Sequence, residues 1–483
     1  MPSSIWRSLA SPWILVVPGK LVQVTRAYLG VRRSGIGPAL TGFLILAVML
    51  AMGLLALFKP ILVLAVPAAL AFLYCAVRPS VGLYALVAML FFTPITINLG
   101  WPGQAVTYVF YAALALAVLG RLVRAITRKQ RMFEAGWVLW FLLPIMFSGF
   151  IHGTSLGDWF TNVKPLLVLV VVSWHVVAEA RLDPQRIRRV ALMIAWAAPA
   201  LFLLAAYQRV AGYWPVMDQF AIAKSYTSRG DAARSAAIMG HSILYGGYCM
   251  VTALISAVLA PKWWRVLLLA SIGGLLLTGA RSAWLGAAVA LLVVLVVRRP
   301  KISFWGLYSG IVGLSLLLVA MIAFPHAVDE VVAAASGRLE NFAESQSALA
   351  RQLRVDLAWG QIAHTEFSWW WGLGPGALVA YFSSTKTKDN LAATFDNSYL
   401  TLWYDYGVIP VLLLAIMLLV MVLRPGALLG RVLALGIAVQ IIFFDFYQWP
   451  LMIGAIALAA GLRQHQKLPA PKDKVPANQQ LTL

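Results

Sequence analysis

The chain is cut into apolar runs of the length that crosses a bilayer. They stand near 37–58, 61–77, 81–97, 106–120, 135–151, 165–178, 190–207, 242–260, 264–280, 283–297, 302–324, 407–423, 432–447 and 451–462. A helix needs about 20 residues to traverse the hydrocarbon core, and in lipid it must satisfy its own backbone amides. Short neighbours such as 61–77 and 81–97 can merge, so the pattern predicts about twelve to fourteen spans. Of the 483 residues, 61% are hydrophobic and 11% charged, more apolar surface than a water-soluble domain can hide. The expected class is all-α: a polytopic integral membrane protein with 12–14 transmembrane helices and one large outer loop that itself contains helices.

The charges orient this layout. A net charge of +21 would suggest nucleic acid in a soluble chain. Here the cations sit in short connections, where they read as a topology signal and as attraction to anionic lipid, so no nucleic-acid partner is expected. With the N-terminus inside, 26 of the 38 Lys and Arg fall on the cytoplasmic side, and thirteen of the 17 acids fall outside. The layout is then a cytoplasmic segment 1–36 and spans within 37–324 that enclose a smaller outer loop near 208–241. A large outer loop 325–406, spans within 407–462 and a polar tail 463–483, expected to be disordered, complete it. No cleavable signal precedes the first span. Cys75 and Cys249 lie inside apolar runs and have no metal or disulfide spacing.

Polar chemistry collects outside. Arg234 stands just before the span that starts near Ser242, and Arg281 interrupts two apolar runs. An arginine there either snorkels to the interface or serves an anion, and the guanidinium fork suits phosphate oxygens. In the large loop, Leu349, Leu353 and Leu357 keep helical spacing while Arg351 and Arg354 share another face. That helix is either a basic surface on the membrane plane or a roof with its arginines turned inward. The Trp369–Trp371 run reads as an interface anchor, with sugar stacking as the alternative. The Gly372-Leu373-Gly374-Pro375-Gly376 turn lets backbone approach something closely but lacks the lysine and spacing of a nucleotide loop. Asp396-Asn397, where the loop rejoins the membrane, is either a helix cap or a carboxylate general base beside Ser398 and Tyr399. His364, His326 and Glu366 are rival bases. No Walker motif, paired early carboxylates or His/Cys cluster occurs, so neither a metal nor a cofactor is expected.

Taken in order, Arg234 to His241, Thr278-Gly279-Ala280-Arg281-Ser282, Arg351 and Arg354 before Trp359, the glycine turn, and Asn397 to Gly407 resemble the O-antigen ligase and polysaccharide polymerase superfamily. The resemblance covers roughly 230–410. It implies an inverting, metal-independent transfer of a glycan from undecaprenyl pyrophosphate to an acceptor sugar hydroxyl. The reaction would take place at the periplasmic face of a bacterial inner membrane. Ligases of the family carry His, then Asn, Ser or Gln, nine residues, and Gly-x-x-Gly/Thr/Tyr. Asn397 and Gly407 fit that spacing, but Asp396 stands at the histidine position and Pro410 at the last. The chain is therefore closer to an exopolysaccharide polymerase. The alternatives are a ligase acting on lipid A-core and, from another class, a transporter or flippase. On the polymerase reading Asp396, Arg281 and Arg234 are catalytic, and Arg351, Arg354, Asn397, Tyr399, His241, Gly374 and Gly376 bind substrate. Partners are the lipid-linked oligosaccharide, the acceptor glycan, membrane lipids and a chain-length regulator.

Overall fold

The computed structural model describes residues 136–212, 228–229, 232–259, 261–298, 355–356, 358–384, 397–423, 426–445 and 449–462. It also describes Leu83, Tyr84, Val87, Leu90, Phe91 and Gly120. All of them fall in the unit Tyr74–Leu483. The predicted spans 37–58, 61–77 and 302–324, most of 81–97 and 106–120, the tail 463–483, and the part of the loop helix that bears Arg351 and Arg354 lie outside the described residues.

The described chain is helical, apart from one antiparallel pair of two-residue strands, Ser228–Arg229 with Ala232–Ala233. In order the helices are α1 Gly136–Ile151, α2 Leu156–Leu182, α3 Pro184–Trp196, α4 Ala198–Ala211, α5 Ser242–Leu259, α6 Trp264–Thr278 and α7 Arg281–Arg298. After the gap come α8 Glu366–Trp371, α9 Ala377–Ser384, α10 Ser398–Tyr406, α11 Val408–Leu423, α12 Leu428–Gln440 and α13 Pro450–Leu462. Four stretches are long and apolar enough to cross a membrane: α2, the joined pair α3–α4, α5 and α7. Shorter apolar helices (α1 from Trp140, α6, α11, α12 with its 3-10 extension to Phe443, and α13) complete the set. Each coincides with a run predicted from hydropathy, so the chain is an all-α multi-pass membrane protein.

The centre is α5, whose side chains are nearly all buried and which packs on α6, α7 and α12. Lipid supplies no hydrophobic force between helices, so close contact relies on small residues and interhelical hydrogen bonds. Both are present. Thr252 and Ser271 join α5 to α6 through their hydroxyls at 2.8 Å. A Cβ on Gly286 would lie 2.6 Å from the Gly436 carbonyl oxygen, so α7 and α12 meet backbone to backbone. Outward stripes such as Leu412, Ile416 and Leu419 on α11 are about half exposed, the face a span offers to acyl chains.

Several boundaries depart from expectation: α2 begins nine residues before the predicted 165 and α3 six before the predicted 190, and one further departure bears on the site. The run 432–447 predicts a span through Asp445, but α12 ends at Gln440, a 3-10 turn covers Ile441–Phe443, and Asp445 lies beyond it. Aromatic neighbours kept the local hydropathy high across a carboxylate.

Candidate functional site

The site forms where α5 and α7 begin, α6 and α12 end and α10 begins. The segment before α5 is pinned residue by residue. Ser235 donates its amide to the Leu277 carbonyl on α6 at 3.2 Å and its hydroxyl to Ala205 on α4 at 2.8 Å. Gln208 accepts from the amides of Ala236 and Ala237 at 2.9 and 3.2 Å. Half-buried Arg234 is therefore held beside the last turn of α6. Arg281 follows that turn, reached through Gly279 at φ +57°, with the Ala280 amide bonded to Thr278 Oγ1 at 3.1 Å. The first turn of α5 lies against the same corner, since a Cβ on Gly246 would meet Ala280 Cβ at 2.9 Å. His241 precedes α5, and its Nδ1 accepts the Ile243 amide at 3.1 Å.

The start of α10 closes the group. Asn397 is the N-cap, and its side-chain oxygen accepts the Leu400 amide at 3.1 Å. Capping thus falls to Asn397; Asp396, the residue before it, lies outside the described residues. The first turn of α10 is bound to the connection after α12. Ser398 Oγ donates to the Phe444 carbonyl at 2.6 Å, and Thr401 Oγ1 donates to Asp445 Oδ1 at 2.7 Å. Tyr399 donates to the Ala438 carbonyl at 3.4 Å, and burial pushes its hydroxyl up to about 12, so it remains a neutral donor. Phe444 and Trp449 stack at 5.4 Å and both lie near the His241 ring, at 6.1 and 5.4 Å. Arg234, His241, Arg281, Asn397 and Tyr399 are thus brought to adjoining helix ends.

Gly374 and Gly376 are placed elsewhere, at the far end of α10. Nine helical residues at 1.5 Å each separate the two ends by roughly 13 Å. There the glycine turn docks on its own chain: Leu373 donates to the Tyr404 carbonyl at 2.8 Å and Gly374 to the Asp405 carbonyl at 3.1 Å. Gly372 at φ +74° and Gly407 at φ +86° are required by this docking. A Cβ on Gly407 would lie 2.0 Å from the Trp370 carbonyl oxygen. Gly374 and Gly376 sit against the His152 ring and the Asn162 amide. His152 in turn faces the carbonyls of Ser148 and Gly372 at 2.7 and 3.1 Å.

Two acids escaped the sequence reading. Asp405 is buried, and its Oδ1 accepts the Leu378 amide at 2.9 Å, so it serves the first turn of α9 from outside that helix. Burial pushes its carboxyl up to about 7; the charge of Asp445 acts the same way, while the amides of Leu378 and Gly376 pull it down. Asp445, also buried, holds Thr401 one turn before Asp405 on α10. The available signal was a carboxylate among aromatics at a span end, in Trp403-Tyr404-Asp405-Tyr406 and Phe443-Phe444-Asp445-Phe446. Among the described residues no three His, Cys, Asp or Glu side chains gather to hold a metal ion.

These elements define a multi-pass membrane protein whose conspicuous polar residues gather at adjoining helix ends. Residues 266–415 match the family model described as O-antigen ligase, which bears out the resemblance to the O-antigen ligase and polymerase superfamily. The match contains Arg281, the loop, the Asp396-Asn397 pair and Gly407; Arg234 and His241 lie before it. It supports glycosyl transfer of the ligase and polymerase type in general, between a lipid-linked oligosaccharide and an acceptor glycan. No curated protein matches the chain.

Proposed function

We propose that the protein is a polysaccharide polymerase of a bacterial inner membrane. It transfers a glycan from undecaprenyl pyrophosphate to a sugar hydroxyl on the periplasmic side, with inversion and without a metal. The observation that carries this reading is the placing of Arg234, Arg281 and the start of α10 at adjoining helix ends, bridged by His241 and Phe444, within and beside the matched segment. A lipid pyrophosphate is an activated leaving group, so no nucleotide is consumed. Arg234 and Arg281 would neutralise the charge that develops on it, which is electrostatic stabilisation of the transition state. Arg351 and Arg354 would hold donor or growing chain from the loop.

Asp396 is the proposed general base, taking the proton of the attacking hydroxyl; a positioned base contributes roughly 10²–10⁴-fold. Asn397 already caps α10, which removes capping as the reason for a carboxylate next to it. The polymerase is favoured over a ligase because Asp396 stands at the ligase histidine position. The ligase reading is kept by the description of the matched family.

The test is elongation of undecaprenyl-pyrophosphate-linked repeats by purified protein in detergent, without metal or nucleotide. Asp396→Asn should fold normally and lose turnover by roughly 10²-fold or more. An active Asp396→Asn enzyme would move the base elsewhere. Transfer to lipid A-core with no elongation would replace polymerase by ligase.

A further inference from the structure

The tryptophan run is not uniform in the structure. Trp369 packs inward with Trp403 and Trp359, at ring separations of 4.5 and 5.6 Å, and the Trp403 indole donates to the Trp369 carbonyl at 3.2 Å. Trp371 packs on Phe147 at 5.0 Å. Phe367 and Trp370, three apart on α8, are 52% and 49% exposed. Residues at this spacing share a helix face, so α8 turns two large aromatics outward while its other two tryptophans are used inside.

The level of α8 along the spans is fixed by its contacts. Ser148 Oγ donates to the Trp371 carbonyl at 3.0 Å, and His152 Nε2 lies 3.1 Å from the Gly372 carbonyl. Ser148 is three residues from the end of α1, about 5 Å along the helix axis. On its other side α8 packs on α11, the next membrane helix, whose approach at Gly407 touches the Trp370 carbonyl. So α8 lies across the ends of two apolar helices. Exposed Phe147 and Phe150 of α1, with ring centroids 6.4 Å apart, run into it through Trp371. The aromatic edge is continuous with a face that a span presents to lipid.

We propose that Phe367 and Trp370 are seated in the bilayer boundary, and that α8 is a short interfacial helix held by lipid of the leaflet on that side. Aromatic rings with an apolar body prefer that zone. A soluble loop that left these two side chains in water would forgo their burial. The seat has a consequence for the site. The glycine turn ties α8 to the Tyr404 and Asp405 carbonyls of α10, and α10 begins at the Asn397 cap. α8 in the boundary and Asn397 at the site are therefore tied to opposite ends of one helix. The inference goes beyond the transfer reading and stands without it.

The test is fluorescence quenching by lipid. Phe367→Cys and Trp370→Cys are each made in a Cys75→Ser/Cys249→Ser background, labelled with bimane and reconstituted singly in nanodiscs. The discs contain phosphatidylcholine brominated at acyl carbons 6,7 or 11,12, or unbrominated. Phe150→Cys serves as the lipid-exposed control, and His364→Cys, in the exposed turn before α8, as the water-exposed one. The expected result is loss of fluorescence at 367 and 370, larger with the shallow bromines than with the deep ones, and little loss at 364. Absence of bromine quenching at both positions, in protein that elutes as folded and is quenched at 150, would overturn the proposal. So would a label shielded only when two labelled copies associate, or only when glycan is added. Transfer activity enters none of these readouts, so the lipid seat and the polymerase reading fail separately.

Discussion

Replacing Asp405 tests the account of how the loop is fastened. Its carboxyl is driven from an ordinary value of 3.8 to about 7, first by burial. A group whose folded value lies above its unfolded value binds its proton more tightly in the native state. The stability that proton provides is complete below about pH 4 and is lost as pH rises through about 7. At ~1.4 kcal/mol per pH unit, the three-unit displacement is worth at most about 4 kcal/mol. The cost falls on the clamp of α9 and the glycine turn onto α10. Hydrogen exchange of a peptide spanning 372–384 should therefore slow as pH falls from 8 to 5, after correction for intrinsic exchange. Asp405→Asn keeps an oxygen for the Leu378 amide and cannot ionise, so the corrected pH dependence should flatten. Asp405→Ala should loosen the peptide at every pH, by the ~1–3 kcal/mol of an amide left without its acceptor. An Asp405→Asn protein with the same corrected slope as the parent would refute the assignment.

The arginines give a sharper contrast. Arg281→Ala should abolish polymer formation without loss of folded protein, and Arg281→Lys should recover little, because an ammonium cannot reproduce the guanidinium fork; normal polymer from Arg281→Ala and Arg234→Ala alike would remove the anion site. The Arg351→Ala/Arg354→Ala double variant should slow elongation less than Arg281→Ala does, and unchanged elongation would leave that loop segment as a lid or membrane contact. With Ser383→Cys in a background lacking Cys75 and Cys249, an impermeant thiol reagent should label intact spheroplasts; labelling only after lysis would invert the proposed topology.

The spans were legible because lipid imposes one rule on every crossing: an apolar run long enough to satisfy its own amides. The predicted 264–280 and 283–297 appear as Trp264–Thr278 and Arg281–Arg298 for that reason. Arg281 was legible for the complementary reason, since a cation between two such runs is costly and conspicuous. Hydropathy is an average, however, and it fails where a carboxylate is surrounded by aromatics. Asp445 vanished into a predicted span and Asp405 into Trp403–Tyr406. What gives each acid meaning is a distant partner. Asp405 serves the Leu378 amide, and Asp445 the Thr401 hydroxyl, 44 residues away in sequence. The glycine turn shows the same limit. Its composition announces that backbone will come close to something, but the partner is the chain's own Gly407 corner. A docking of this kind needs glycine on both sides at once, and the sequence displays the two sides as unrelated turns. That reassigns the motif physically: its freedom of φ is spent on seating α8 and α9 against α10. On the proposed polymerase reading, recognition of the donor would fall to side chains at the other end of α10, where Asn397 and the arginine-bearing corner lie at adjoining helix ends.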